Sequence, residues 1–362
     1  MNSIAIWPVL HTESKEIIPI ELHFNLWRIK KKFWANVPIF FKDRNWKELI
    51  SRDNFLDIGL KVGKCHEIKK ICIYIPGNII KDNIRDMGSI ISADTTVLNS
   101  VFNEELNVVA TDNPKLKEII NSEKQKLFFI YAIDVKSDIV CSSSEPGTIV
   151  EILCNDKCNR DSETYFRIRI SSNFVEELTY NFRPISSFYE SAFNQTEVID
   201  FRVNEKRNLT PSLLEKIKNH FYFTKIHYLL LRNSEDEFLF SNKQIYSSRE
   251  LEKDVWQKYI DGHKYKYKYR RILAYHFKEK QQDGKDNITS YNLLAKFKIE
   301  KQNYRTIIKY LSIILVVSIL IENLSNFIYD ECGKDLMKST FSNDSLSISK
   351  GKSPVTITPK SN

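Results

Sequence analysis

Glycine is scarce in this chain: nine in 362 residues, about a third of average usage. That disfavours folds built on glycine-rich phosphate loops. The nearest approach to one, Gly59-x-x-x-Gly63-Lys64, is a residue short of the P-loop spacing and lacks the Ser or Thr after the lysine. The cysteines, at 65, 72, 141, 154, 158 and 332, hold no C-x-x-C pair. Cys154 and Cys158 are four apart, and Cys65 beside His66 has no second half, so spacing offers no zinc knuckle. The thiols read as buried or idle in a reducing compartment. Among His11, His23, His66, His220, His227, His263 and His276 there is no H-E-x-x-H and no i, i+4 pair. G-x-S-x-G is missing as well. The expectation is a chain without metal or cofactor, in which no enzyme signature is complete. The N-terminus, MNSIAIWPVLHTESKE, has neither a basic n-region nor a long apolar stretch, so the bulk of the chain is expected in the cytoplasm.

Hydrophobic residues make up 42% and charged residues 28%, enough apolar material to fold a core. Lys and Arg number 54 against 46 Asp and Glu, a net charge of +8, which favours anionic partners only where it is clustered. In residues 17–29, Ile18, Ile20, Leu22, Phe24 and Leu26 alternate with Glu21, His23 and Asn25. That period of two marks a half-buried strand. Leu56 to Val62 and Ile71 to Ile75 repeat it, and 106–111, 127–134, 148–154 and 165–170 are further strand-like runs. Helices are expected near 82–91 and 115–121.

The expected fold is β-rich α+β: an antiparallel β-sandwich or barrel-like region over 1–155, then an α+β region over 163–281. The polar stretch Asn155–Glu163 is the expected boundary. The second region carries strands near 197–203, 223–232 and 237–240. It also carries helices near 211–220, where Thr210 and Pro211 make a good start, and 248–260. A helical linker over 282–306 and a disordered Ser- and Lys-rich tail over 333–362 complete the expectation.

The most specific signal is 307–329, IIKYLSIILVVSILIENLSNFIY. Eleven Ile, Leu or Val residues between 307 and 321 contribute roughly −5 kcal/mol to membrane insertion. Tyr310 and Tyr329 stand about 28 Å apart along a helix, close to the hydrocarbon thickness. Lys296, Lys298, Lys301, Arg305 and Lys309 precede the segment, whereas Lys334 and Lys338 follow it among Asp330, Glu331 and Asp335. Positive-inside then places the N-terminal body in the cytoplasm of a single-pass cell-membrane protein. Ser318, Glu322 and Ser325, spaced i, i+4, i+7 with Asn326 beside them, form a polar stripe suited to self-association.

His263 to Arg271 reads HKYKYKYRR. As a strand it sends Lys264, Lys266, Lys268 and Arg270 to one face, with Arg271 at its end, and three tyrosines to the other. Such a row suits anionic lipid headgroups, and less strongly nucleic acid. Asp112, Asp134 and Lys136 are the weak catalytic candidates, two acids for Mg²⁺ and a lysine for phosphate or water. The leading expectation is a membrane-anchored cytosolic binding or sensing module acting at the membrane as a homo-oligomer, with its ligand or protein partner undefined. The alternatives are a membrane-tethered metal-dependent nuclease or nucleic-acid-binding protein, and a non-enzymatic adaptor.

Overall fold

The computed structural model describes residues 3–11, 17–30, 52–154, 162–182, 194–217, 221–261, 271–281, 287–300 and 304–328. The expected tail and the basic row at 264–270 lie outside the described residues. The chain forms two compact units, Met1–Glu300 and Lys301–Asn362.

In chain order the first unit's strands are β1 (Ala5–Leu10), β2 (Ile18–Lys30), β3 (Arg52–Val62), β4 (Ile68–Ile75), β5 (Ile84–Asp86) and β6 (Leu106–Ala110). Next come β7 (Leu116–Asn121), β8 (Lys126–Tyr131), β9 (Ile139–Ser144), β10 (Gly147–Leu153), β11 (Thr164–Ile170) and β12 (Thr179–Phe182). The last are β13 (Asn194–Val203), β14 (Phe221–Asn233), β15 (Glu237–Ser241), β16 (Ser247–Glu250), β17 (Ile272–Lys280) and β18 (Tyr291–Glu300).

A ten-stranded sheet runs β16-β17-β14-β2-β3-β11-β8-β7-β6, with β5 paired to β11. Pairing is antiparallel except for β14 with β2 and β11 with β8. Two four-stranded sheets, β1-β4-β10-β9 and β12-β13-β18-β15, accompany it. The unit is β-rich with mixed and antiparallel sheets, and no sheet among the described strands closes on itself.

Alternation explains the layering. Ile18, Ile20, Leu22, Phe24 and Leu26 of β2 share one core with Ile71, Ile73 and Ile75 of β4 and Phe201 and Phe297 of β13 and β18. Each such fully buried side chain contributes about 1.5–3 kcal/mol. The other face of β2 puts Trp27 and Ile29 into a second core. There they meet Ile91, Val97, Leu98, Trp256 and Tyr259 from the helices Gly88–Ala93, Thr95–Phe102 and Lys253–Asp261.

Several expectations change. Strands from both sides of Asn155–Glu163 build the ten-stranded sheet, so the division into 1–155 and 163–281 gives way to one unit. Residues 116–121, expected helical, form β7, because pairing with both β6 and β8 outweighs a pattern that fits either period. The expected linker over 282–306 contains β18, whose Tyr291, Leu293, Ala295, Phe297 and Ile299 are buried in strict alternation. The helix expected over 248–260 splits into β16 and Lys253–Asp261. That expected over 82–91 divides into β5 and Gly88–Ala93. A further helix, Thr95–Phe102, starts on Asp94, whose carboxylate accepts the Thr96 and Val97 N–H groups.

The second unit contains one described helix, Tyr304–Ile328. Its stretch Tyr310–Ile328 has a mean hydropathy of 2.0 over its most apolar window, long and apolar enough to cross a membrane. Its described apolar side chains are exposed, the least of them Ile313 at 40%.

Candidate functional site

On the helix-covered face of the ten-stranded sheet, polar groups replace apolar ones toward one end of β2. Glu21 and His23 stand two apart on that strand and so share a face. The adjacent parallel strand β14 sets His227 opposite His23 and Lys225 opposite Glu21. This depends on a bulge: Phe223 pairs with Ile20 and Lys225 with Glu21, so Thr224 is an extra residue. Before it Phe223 enters the large core; after it Ile226, Tyr228 and Leu230 do. The switch of parity delivers His227 to the face of Glu21 and His23.

The carboxylate oxygen Oε1 of Glu21 lies 3.0 Å from His23 Nε2 and 3.5 Å from His227 Nε2. Among the described residues these are the three metal-ligating side chains that converge, their donor atoms all within 4.8 Å. Both rings are held from behind. His227 Nδ1 is 3.0 Å from His276 Nε2 on β17, and His23 Nδ1 is 3.5 Å from Tyr165 Oη. Arg167 Nη1 donates to that hydroxyl at 2.7 Å. Lys225 Nζ approaches Glu21 Oε2 at 3.4 Å, and the Ser247 hydroxyl lies 3.5 Å from His276 Nδ1. Phe102, at the end of its helix, walls the site with its ring 5.9 Å from that of His23. Side chains of Glu21, His23 and His227 keep 14%, 11% and 19% of their surface, so solvent reaches the cluster.

Burial pushes His23 down to about 4 and His276 likewise to about 4, the latter helped by His227 and Lys278. Burial alone would raise the Glu21 carboxyl. Hydrogen bonds from His227 and His23, with the Lys225 ammonium nearby, overcome it and hold the group well below the usual carboxylate range. Near neutrality Glu21 is therefore a carboxylate, and His23 and His276 are neutral imidazoles.

Farther along the same face Asp57 is fully buried. It accepts from Arg169 Nε at 2.7 Å, Trp27 Nε1 at 2.8 Å and Tyr259 Oη at 2.6 Å. Burial would raise this carboxyl, but Arg169 and Arg167 hold it low. The network is saturated with donors and reads as structural.

Residues singled out from sequence fall elsewhere. Asp112 follows β6 and Asp134 follows β8, with β7 between them, which sets the strand ends about 10 Å apart. Asp134 caps the helix Val135–Asp138, accepting the Lys136 N–H at 3.0 Å. The backbone hydrogen bond from Lys136 holds this carboxyl low. The Lys136 carbonyl accepts from Lys81 Nζ at 2.8 Å. These three residues share no described ligand set. Lys264, Lys266, Lys268 and Arg270 lie outside the described residues, whereas Arg271 is exposed with Nε 3.5 Å from Glu250. Ser318, Glu322, Ser325 and Asn326 are exposed on the apolar helix, where Ser318 Oγ donates to the Ile314 carbonyl at 2.9 Å. Cys65 is disulfide-bonded, a departure from the expectation of idle thiols. Cys72 is a buried thiol pushed up to about 12, mainly by burial.

The cluster of Glu21, His23 and His227 escaped the reading of the sequence. Glu-x-His on the polar side of an alternating strand was its only local signal. His227 stands 204 positions away from His23. No family model matches the chain, and no curated protein matches it either.

Proposed function

We propose that this chain is a membrane-anchored binding or sensing module. Its β-rich, sandwich-like body faces the cytoplasm, and one C-terminal helix holds it at the cell membrane. The observation that carries the reading is the helix Tyr304–Ile328, whose stretch Tyr310–Ile328 is apolar and, from Leu311 onward, exposed. In water such a surface would be a liability; in a bilayer it is matched to its solvent. The excess of Lys and Arg before the helix supports a cytoplasmic body. Lys264, Lys266, Lys268, Arg270 and Arg271 add a row for anionic headgroups, each contributing about 1 kcal/mol near the surface. The stripe Ser318, Glu322, Ser325 and Asn326 gives the spans a face on which to gather, which makes the protein a membrane-acting effector when copies cluster.

The test is fractionation of the full chain against a version ending at Asn303. Full-length protein is expected to resist carbonate and yield only to detergent, while the shortened form is soluble and folded. Carbonate-soluble full-length protein overturns the reading.

A further inference from the structure

We propose that Glu21, His23 and His227 form a binding site for a divalent metal ion of the zinc class, with His276 and Tyr165 as its orienting partners. The proposal is independent of membrane attachment and rests on geometry within the ten-stranded sheet. Zinc bonds of about 2.0–2.1 Å to nitrogen and about 2.0–2.2 Å to oxygen set neighbouring ligand atoms of a tetrahedron roughly 3.3–3.5 Å apart. The separations from Glu21 Oε1 to the two Nε2 atoms, 3.0 and 3.5 Å, bracket that edge. An ion seated between the three atoms needs only small side-chain adjustments.

The second feature is what lies behind each ring. A ligating histidine usually donates its other N–H to a group that fixes its tautomer and plane. Here His227 Nδ1 meets His276 Nε2 at 3.0 Å, and His23 Nδ1 meets Tyr165 Oη at 3.5 Å. Both Nε2 atoms thereby face the same carboxylate, donating to it without an ion and turning a lone pair to the ion once the proton sits on Nδ1. The Tyr165 hydroxyl is itself fixed by Arg167, and Gly59 leaves the space it occupies. The third feature is the backbone: all three ligands project from paired central strands, and the Thr224 bulge is what brings the third to their side.

Two imidazoles and one carboxylate make a borderline donor set. It suits Zn²⁺ and its first-row neighbours better than Ca²⁺ or Mg²⁺, which prefer oxygen cages. Three protein ligands leave a position open, and the partial exposure of all three side chains lets water or an anionic oxygen reach it.

The experiment uses tag-free full-length protein in detergent, stripped by chelator and then dialysed against ZnCl₂ alone. Wild type is expected to retain one zinc per chain after exchange into zinc-free buffer, and its thermal midpoint to rise with added zinc. Loading with Co²⁺ in place of zinc should give the visible absorption of a low-coordinate cobalt centre. Glu21→Ala, His23→Ala and His227→Ala should each reduce retained metal to background. His276→Ala should keep the stoichiometry but bind roughly 10- to 100-fold more weakly. Glu21→Gln, which preserves volume, serves where an alanine variant fails to fold. Wild-type protein that retains no zinc would show a metal-free hydrogen-bonded network and overturn the proposal. So would zinc retained equally by folded ligand variants.

Discussion

At Gly59 a methyl group would stand 2.2 Å from Tyr165 Oη and 2.9 Å from its Cζ, and the tyrosine cannot swing away cheaply. Its ring is wedged by Phe102 and His23, and its hydroxyl accepts from buried Arg167. Gly59→Ala should therefore cost about 1–3 kcal/mol, read as a lower urea midpoint with an unchanged slope. Tyr165→Phe in the same chain should restore part of the loss by removing the clashing oxygen. An unchanged midpoint for Gly59→Ala would show that the packing yields. Asp57 carries a larger stake. Asp57→Asn leaves Arg169 and Arg167 buried without their counter-charge, which should cost about 3–5 kcal/mol at neutral pH. The sign of the pH dependence follows from a folded carboxyl held low. Its contribution is complete above the unfolded value near 3.9 and is lost as pH falls through the folded value. The difference in urea stability between wild type and Asp57→Asn should accordingly shrink in acid. A gap that stays constant down to pH 2 would remove Asp57 from the acid-sensitive groups.

Among the strands, alternation of large apolar residues made several legible in the sequence. β2, β3 and β11 were legible because Ile, Leu and Phe recur at every second position and stay buried there. β18 carried the same signal in Tyr291, Leu293, Ala295, Phe297 and Ile299, but its interleaved lysines also fit a helical link. β7 was ambiguous in principle, since Leu116, Ile119 and Ile120 satisfy a helical spacing as well as an edge-side strand. The site at Glu21, His23 and His227 was illegible for another reason. It requires knowing that β2 pairs with β14, in parallel, and that Thr224 interrupts the register. This dependence on register can be tested. Thr224→Ala removes only a weak hydroxyl contact, 3.4 Å to the Ile20 carbonyl, and should change stability by less than about 1 kcal/mol. Deleting Thr224 instead restores a regular ladder that would turn either Phe223 or the run Ile226, Tyr228 and Leu230 out of the core. The deletion should abolish cooperative unfolding by circular dichroism. A deletion variant that unfolds cooperatively at the wild-type midpoint would mean the bulge does not set the register.

The assembled protein, as proposed, joins a folded β-rich body to a helix whose lipid-facing surface is interrupted by one polar stripe. Within that stripe the residues are not equivalent. Ser318 has its hydroxyl hydrogen satisfied by the Ile314 carbonyl of its own helix, so its role in contact between spans is that of a small residue allowing close approach. Glu322 is exposed and falls one turn further on, where a carboxyl group can bond across to a second copy. Interhelical hydrogen bonds of this kind contribute about 0.6–2 kcal/mol, roughly three- to thirty-fold in association constant. Glu322→Leu should lower energy transfer between donor- and acceptor-labelled full-length chains in vesicles by an amount within that range, while Ser318→Ala has the smaller effect. Both variants should remain carbonate-resistant, because neither shortens the apolar stretch. If Glu322→Leu leaves energy transfer unchanged, the spans do not associate through this stripe, and clustering would have to arise from the cytoplasmic body. If it increases transfer, the glutamate acts to keep spans apart, and the stripe's role is inverted.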